Sequence, residues 1–286
     1  MKFAVSTYSF HELGDKPGDI GLISLAKEIG FAGIEFAGFR LPEGVSPEEH
    51  ATALRAECAK LGVIPVNYTI GADFLNCPDG LEAEIERLKK EVDVAVLLGA
   101  EGMRHDATRG YIDNDGYKGF SDALPILIEG CRAVTEYAAG RGIKTMVENH
   151  GFFCQDSERL ERLVNGVAHE NFGLLVDIGN FMCTDEDPVL AVSRTAPYAV
   201  HVHAKDFHKK SGSGLPPRDG FFKTRGGDYL RGAILGHGDA PVLQCLSILK
   251  SNGYDGFVSL EFEGMEEPKK GITCGLNTLE YIKEAV

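Results

Sequence analysis

No apolar run in this chain approaches the roughly 20 residues needed to cross a bilayer. There is no Cys-x-x-Cys pair, no excess of basic residues, and no glycine-rich phosphate fingerprint after the first apolar segment. Each absence removes a class. The first leaves no membrane partner to expect. The seven cysteines are scattered and odd in number, which favours a reducing cytoplasm over a disulfide framework or a cysteine zinc site. Met1-Lys-Phe-Ala-Val-Ser6 reads as a first strand, too short and too soon polar to be a signal peptide, so a cytoplasmic location is expected. A net charge of −14 opposes a nucleic-acid partner, which normally needs a basic footprint. It leaves room for a small anionic substrate held by a local basic patch. Finally, Ser6-Thr-Tyr-Ser-Phe10 lacks the glycines that a doubly wound nucleotide-binding sheet places after its first strand.

What the chain does contain is alternation. Its 286 residues, 43% of them hydrophobic, exceed the usual domain size, yet a (β/α)8 barrel of about 250 residues counts as one domain. Strands are predicted at Phe3–Tyr8, Ala32–Phe36, Val63–Thr69, Gly102–Asp106, Lys144–Glu148, Phe172–Asp177, Tyr198–Asp206 and Gly256–Glu261. Pro65 sits awkwardly inside the third. Helices are predicted between them: about Asp19–Ile29, Ser46–Leu61 with a Ser cap, Pro and Glu, an amphipathic one that follows Asp79-Gly80 and runs through about Leu98, Tyr117–Arg141, from Ser157, from Asp187, Asp239–Asn252 and Thr278–Ala285. Phe207–Gly238 breaks the pattern, is glycine-rich, and is far longer than a βα loop of about 2–6 residues, so a functional lid is expected there. The fold class is therefore α/β, a (β/α)8 TIM barrel over residues 1–286 as one domain, with a long loop after strand seven.

Strands five to eight end in metal-type ligands. Lys144-Thr-Met-Val-Glu148-Asn-His150 is an apolar run closing on a carboxylate, an amide and an imidazole. The next three deliver Asp177, His203 and Glu261. Polar groups at the C-terminal tips of buried parallel strands line a pocket. Three carboxylates and one imidazole suit one divalent ion, Mn²⁺ first, with Mg²⁺, Co²⁺ or Zn²⁺ as alternatives. Each residue alone has a plainer explanation: a rim glutamate, a helix cap at Asp177, a core histidine among His201 and His203. Their coincidence at one end of adjacent strands favours the metal.

These motifs, Val147-Glu-Asn-His150, Leu175-Val-Asp-Ile-Gly-Asn180, His201-Val-His-Ala-Lys-Asp206 and Gly253–Glu261, resemble the sugar phosphate isomerase/epimerase family of the xylose-isomerase-like TIM-barrel superfamily, along essentially the whole chain. The resemblance implies Glu148, Asp177, His203 and Glu261 as ligands, with Glu148 and Glu261 doubling as proton acceptor and donor on either face of a ketose. The chain departs from the ketose 3-epimerases at Cys154, Asn180 and Lys209, where those enzymes carry Glu, His and Arg. His150 adds a base candidate, and its Glu-x-His arrangement is similar to that of related barrels that act on 3-oxo-glycosides.

The expected function is thus a metal-dependent sugar or sugar-phosphate isomerase or epimerase, with proton transfer next to a metal-bound carbonyl. The alternative is a metal-dependent lyase or hydrolase of 3-oxo-glycosides with His150 as base. An endonuclease, which the charge opposes, and a non-catalytic sugar- or partner-binding barrel are the remaining rivals. His105, Asn180, Lys205, Lys209 and Arg231 are expected to contact substrate, the last two from a basic lid that also holds Lys210, Arg218, Lys223 and Arg225. Glu35 is expected to pair with His105 or Lys205. The partner is a small sugar, neutral or anionic, and a homo-oligomer is compatible with the sequence.

Overall fold

The computed structural model describes residues 1–13, 17–112, 116 and 118–286. In chain order its strands are β1 (Lys2–Ser6), β2 (Gly33–Ala37), β3 (Ile64–Ile70), β4 (Gly102–His105), β5 (Lys144–Glu148), β6 (Phe172–Asp177), β7 (Ala199–Ala204), β8 (Asp206–Lys210), β9 (Phe222–Lys223), β10 (Tyr229–Ala233) and β11 (Phe257–Leu260). Parallel pairing closes a barrel in the order β1-β11-β7-β6-β5-β4-β3-β2, while β8-β10-β9 form a separate antiparallel sheet. The helices are α1 (Gly18–Ile29), α2 (Pro47–Leu61), α3 (Leu81–Leu98), α4 (Phe120–Ala139), α5 (Ser157–Val167), α6 (Pro188–Thr195), α7 (Val242–Ser251) and α8 (Pro268–Ala285). Among the described residues, no helix is long and apolar enough to cross a membrane.

Local chemistry sets these boundaries. Ser46 accepts the Glu49 backbone N–H while Glu49 accepts that of Ser46, and Pro47 supplies the first turn of α2. Gly62, at φ 66°, ends that helix in a left-handed cap. Asp187 caps α6 by accepting the Val189 and Leu190 N–H groups. Along α3, Ile85, Leu88, Val92, Ala95 and Leu98 form one buried stripe at helical spacing. Pro65 is accommodated because the β2–β3 register slips beside it, Ile34 facing Pro65 but Glu35 facing Asn67. A bulge is one of the few places where a sheet tolerates proline.

Three expectations need correction or restriction. The last helix begins ten residues earlier than predicted, at Pro268 rather than Thr278, with Glu267 capping it. Gly271 and Gly275 mask it in the sequence, yet they are there for close approach. A Cβ at 271 would lie 2.5 Å from the Phe262 ring, and one at 275 would lie 2.9 Å from Leu260. Second, the stretch expected to be a loop contains a small antiparallel sheet, with Asp206–Lys210 paired against Tyr229–Ala233, and is otherwise turns and irregular chain. Third, the predicted start of the fourth helix at Tyr117 lies outside the described residues, and α4 begins at Phe120.

Asp206 ties this sheet to the barrel. Its carboxylate accepts four backbone N–H groups, from Phe207, Gly236, Gly238 and Ala240. Asp206→Ala would leave those donors without their acceptor, at about 1–3 kcal/mol for each one left buried. The variant is expected to lose at least about 3 kcal/mol in urea denaturation, and an unchanged midpoint would contradict the anchoring role.

Candidate metal centre and active-site cavity

Glu148 ends β5, Asp177 ends β6, His203 lies in β7 and Glu261 directly follows β11, so four neighbouring strands deliver their side chains to one end of the barrel. All four are buried, and one ligand atom from each lies within 4.8 Å of the others. His203 Nδ1 is 3.6 Å from each of three carboxylate oxygens: Glu148 Oε1, Asp177 Oδ2 and Glu261 Oε2. Its opposite nitrogen, Nε2, is 2.8 and 3.0 Å from the two oxygens of Glu35. Both His203 Nδ1 and Asp177 Oδ2 are buried with no hydrogen-bond partner. Bonds of about 2.0–2.2 Å from an ion to N and O ligands put neighbouring ligand atoms about 3.0–3.6 Å apart, and His203 Nδ1 stands 3.6 Å from each of the three carboxylates. The donor set therefore fits a divalent ion.

The electrostatics agree. Burial alone would lower the His203 imidazole, but Glu35, Glu261, Asp177 and Glu148 outweigh it and hold the ring well above its usual range. That is the signature of a pocket that draws a cation. Two protein cations flank it. Arg104 reaches Glu148 Oε2 at 2.7 Å and Asp106 Oδ1 at 2.8 Å, and Lys205 reaches Glu261 Oε2 at 2.6 Å. Burial pushes both glutamates up, yet Arg104 and His203 bring Glu148 down to about 2. Lys205 and His203 likewise hold Glu261 well below the carboxylate range. Asn180 bridges the two sides, donating to Glu148 Oε1 at 2.9 Å and accepting from Lys205 at 3.2 Å.

Asp177 Oδ1 accepts the Asn180 N–H at 2.8 Å, at the start of the short 3-10 turn Asn180–Thr184, while Oδ2 has no hydrogen bond and lies 3.6 Å from His203 Nδ1 and 3.5 Å from Lys205 Nζ.

Above the cluster lies a cavity of about 650 Å³ whose wall includes Glu148, His150, Asn180, Lys205 and Glu261, with Tyr8 and Glu263 hydrogen-bonded to each other at 3.1 Å. His150 Nδ1 lies 3.0 Å from Asp106 Oδ1. Burial would lower that imidazole, but the Asp106 bond and nearby Glu148 raise it. Arg104, Asp106 and His150 thus form one chain of contacts ending in the cavity.

Three residues expected at the substrate are not brought there. Strand alternation turns His105 away from the barrel interior, edge-on to Phe74 with ring centroids 5.7 Å apart, and puts Arg104 inside instead. Lys209 is paired with Asp228 at 2.9 Å, and Arg231 packs on the Phe221 ring beside Met265; neither lines the cavity. Arg225 likewise pairs with Asp156 at 2.5 Å. Lys209 and Lys223 thus contact residues of this segment and Arg225 ties it to the start of α5, while its sheet contributes Phe207 and Phe222 to the cavity wall. Glu35 pairs with His201 and His203 rather than with His105 or Lys205.

The overlooked residues are Arg104 and Asp106. The sequence alone did not mark Arg104: it faces inward because it pairs in register with Met146, two residues before Glu148, and so shares its phase.

Burial holds the displaced His105 at about 4. An unfolded histidine titrates near 6.5, so the unfolded chain takes the proton first. The stability contributed is complete above about pH 6.5 and falls as pH drops toward 4, by up to about 3 kcal/mol. His105→Leu should therefore flatten the loss of stability between pH 7 and 5 in urea titrations. An unaltered slope would contradict this origin.

The family described as xylose isomerase-like TIM barrel matches residues 23–282. An inosose dehydratase from Clostridium perfringens (strain 13 / Type A) is 25% identical over 159 residues, 55% of this chain and 53% of that protein. The chain thus spans about half the length of the curated relatives it matches. Two solved structures share the fold. The probable 3-DHS dehydratase of petrobactin synthesis from Bacillus anthracis has a TM-score of 0.73 at 20% identity, covering 98% of this chain and 99% of that one. D-psicose 3-epimerase from Clostridium cellulolyticum H10 has 0.74 at 16%, covering 99% of each.

Proposed function

Because the chain belongs to the xylose isomerase-like TIM-barrel family, we propose that it is a metal-dependent isomerase or epimerase of a small polyhydroxylated ketone. The observation that carries this is His203 Nδ1, buried without a hydrogen-bond partner and equidistant from three carboxylates. A divalent ion held by Glu148, Asp177, His203 and Glu261, Mn²⁺ first with Mg²⁺, Co²⁺ or Zn²⁺ as alternatives, would act as a Lewis acid toward a ketone and its neighbouring hydroxyl.

The remaining work falls to the side chains. Glu148 and Glu261 come from strands on either side of β6 and β7, which suits one to take a proton from the carbon beside the carbonyl and the other to return it. Arg104 and Lys205 keep both ionised, in the acceptor form. Carboxylates held so low are weak bases, so the carbon must be acidified before either can act. Asn180 and Lys205 offer donors to substrate hydroxyls, and Phe207 and Phe222 limit water at the wall.

A second reading is favoured by a specific contact. His150, oriented by Asp106, is a base candidate beside the cluster. With it, proton removal would be followed by loss of a β-substituent: water, as in the dehydratases among the similar proteins, or the aglycone of a 3-oxo-glycoside. The two readings share their first step and differ in the second. Mn²⁺-loaded protein incubated in D₂O with a panel of ketoses, cyclic polyol ketones and 3-oxo-glycosides separates them. Isomerase or epimerase action incorporates deuterium at carbon without loss of a leaving group, whereas elimination yields a product lacking water or the aglycone. His150→Ala is expected to leave isomerisation within about tenfold of wild type but to slow elimination about 10²–10⁴-fold. Absence of both exchange and elimination across the panel would remove the enzymatic proposal.

A further inference from the structure

Beneath the metal cluster the barrel interior holds a polar layer in which Glu35 is fully buried. Its two oxygens lie 2.8 and 3.0 Å from His203 Nε2. One of them is also 3.1 Å from His201 Nε2 and 3.1 Å from Asn67 Nδ2. His201 has a second partner, Ser259 Oγ at 2.7 Å, and stands edge-on to His203 with ring centroids 5.8 Å apart. Below this layer Ala4, Val66 and Phe257 pack as an apolar plug. A buried carboxylate is a costly way to fill a barrel, and an apolar side chain of similar size would serve packing better. Its geometry explains its presence.

An ionised carboxylate only accepts hydrogen bonds, so the nitrogen facing it must carry a proton. That leaves Nδ1 of a neutral ring as the lone-pair nitrogen, and Nδ1 is the atom facing the three ligand carboxylates. The opposite tautomer would set a lone pair against Glu35. Contacts from both oxygens to one N–H also fix the rotation of the ring. Resting on the metal reading proposed above, we infer that Glu35 is the positioning residue of the metal site, fixing the tautomer and orientation of His203 so that Nδ1 is presented to the ion. His201 steadies Glu35 from the side and meets the ligand set only edge-on, at the His203 ring.

The test is Mn²⁺ affinity, measured by calorimetry or electron paramagnetic resonance on the full chain, with the melting temperature as the folding control. Glu35→Leu is expected to raise the Mn²⁺ Kd about 10–100-fold while the protein stays folded. Glu35→Gln, whose amide oxygen still accepts the N–H, should raise it less, and His201→Gln should stay within about threefold of wild type. A Glu35→Leu Kd within twofold of wild type would overturn the inference while leaving the metal site intact. A wild-type protein that binds no Mn²⁺ would instead remove the metal reading, and the inference with it. Should Glu35→Leu not fold, ¹⁵N-histidine NMR of the Zn²⁺-loaded wild type decides: His203 is expected to carry its proton on Nε2, and an unprotonated Nε2 would overturn the inference.

Discussion

Asp177→Asn is expected to abolish the stabilisation of this protein by divalent metal while leaving the fold in place. The substitution keeps the amide oxygen that accepts the Asn180 N–H, so the turn after β6 retains its cap. It replaces the unpartnered Oδ2 by an N–H₂ group, which cannot ligate and puts donor hydrogens where a cation would sit. For wild type at an ion concentration of 100 times its Kd, binding adds about 2.7 kcal/mol. That corresponds to a rise of about 5–10 °C in melting temperature for a chain of this size. The variant should show less than about 1 °C and an exchange activity lower by at least about 10³-fold. A variant with the wild-type metal shift would show that Asp177 is only a cap.

Arg104→Met is expected to have the largest effect on stability. Arg104 is 5% exposed and bridges Glu148 and Asp106. Removing one member of a buried ion pair strands the other, at about 3–5 kcal/mol, and here two carboxylates lose their counter-charge. The melting temperature should fall by about 10 °C or more in metal-free protein. Added Mn²⁺ should recover part of the loss, because the ion returns positive charge to Glu148. A loss below 1 kcal/mol would mean that the cluster does not depend on Arg104.

The four-residue cluster was legible because parallel strands advertise themselves: an apolar run such as Thr145-Met-Val gives way at its tip to Glu148-Asn-His150, which marks the pocket end of the strand. Four such tips recur, and their spacing by helices assigned them to one end. What the sequence hid was phase. His105 and Arg104 are neighbours, and only the pairing of β4 with β5 decides which one faces inward. Glu35 was visible as a buried carboxylate, but its histidine partners come from β7, 168 residues away for His203, so its role depends on closure of the barrel. The accessory sheet escaped because its strands are short and its glycines resemble those of a loop. Gly232, for example, approaches the Glu263 backbone so closely that a Cβ would lie 2.1 Å from its oxygen. In α8 the glycines that read as breakers are contact points for β11 and the residues that follow it.

Anomalous diffraction from a crystal grown with Mn²⁺ tests most directly whether one cation sits among the four side chains. The expected result is a single strong peak at about 2.0–2.3 Å from Glu148, Asp177, His203 Nδ1 and Glu261, with Glu35 still on Nε2. A peak elsewhere, or none at millimolar Mn²⁺, would contradict it.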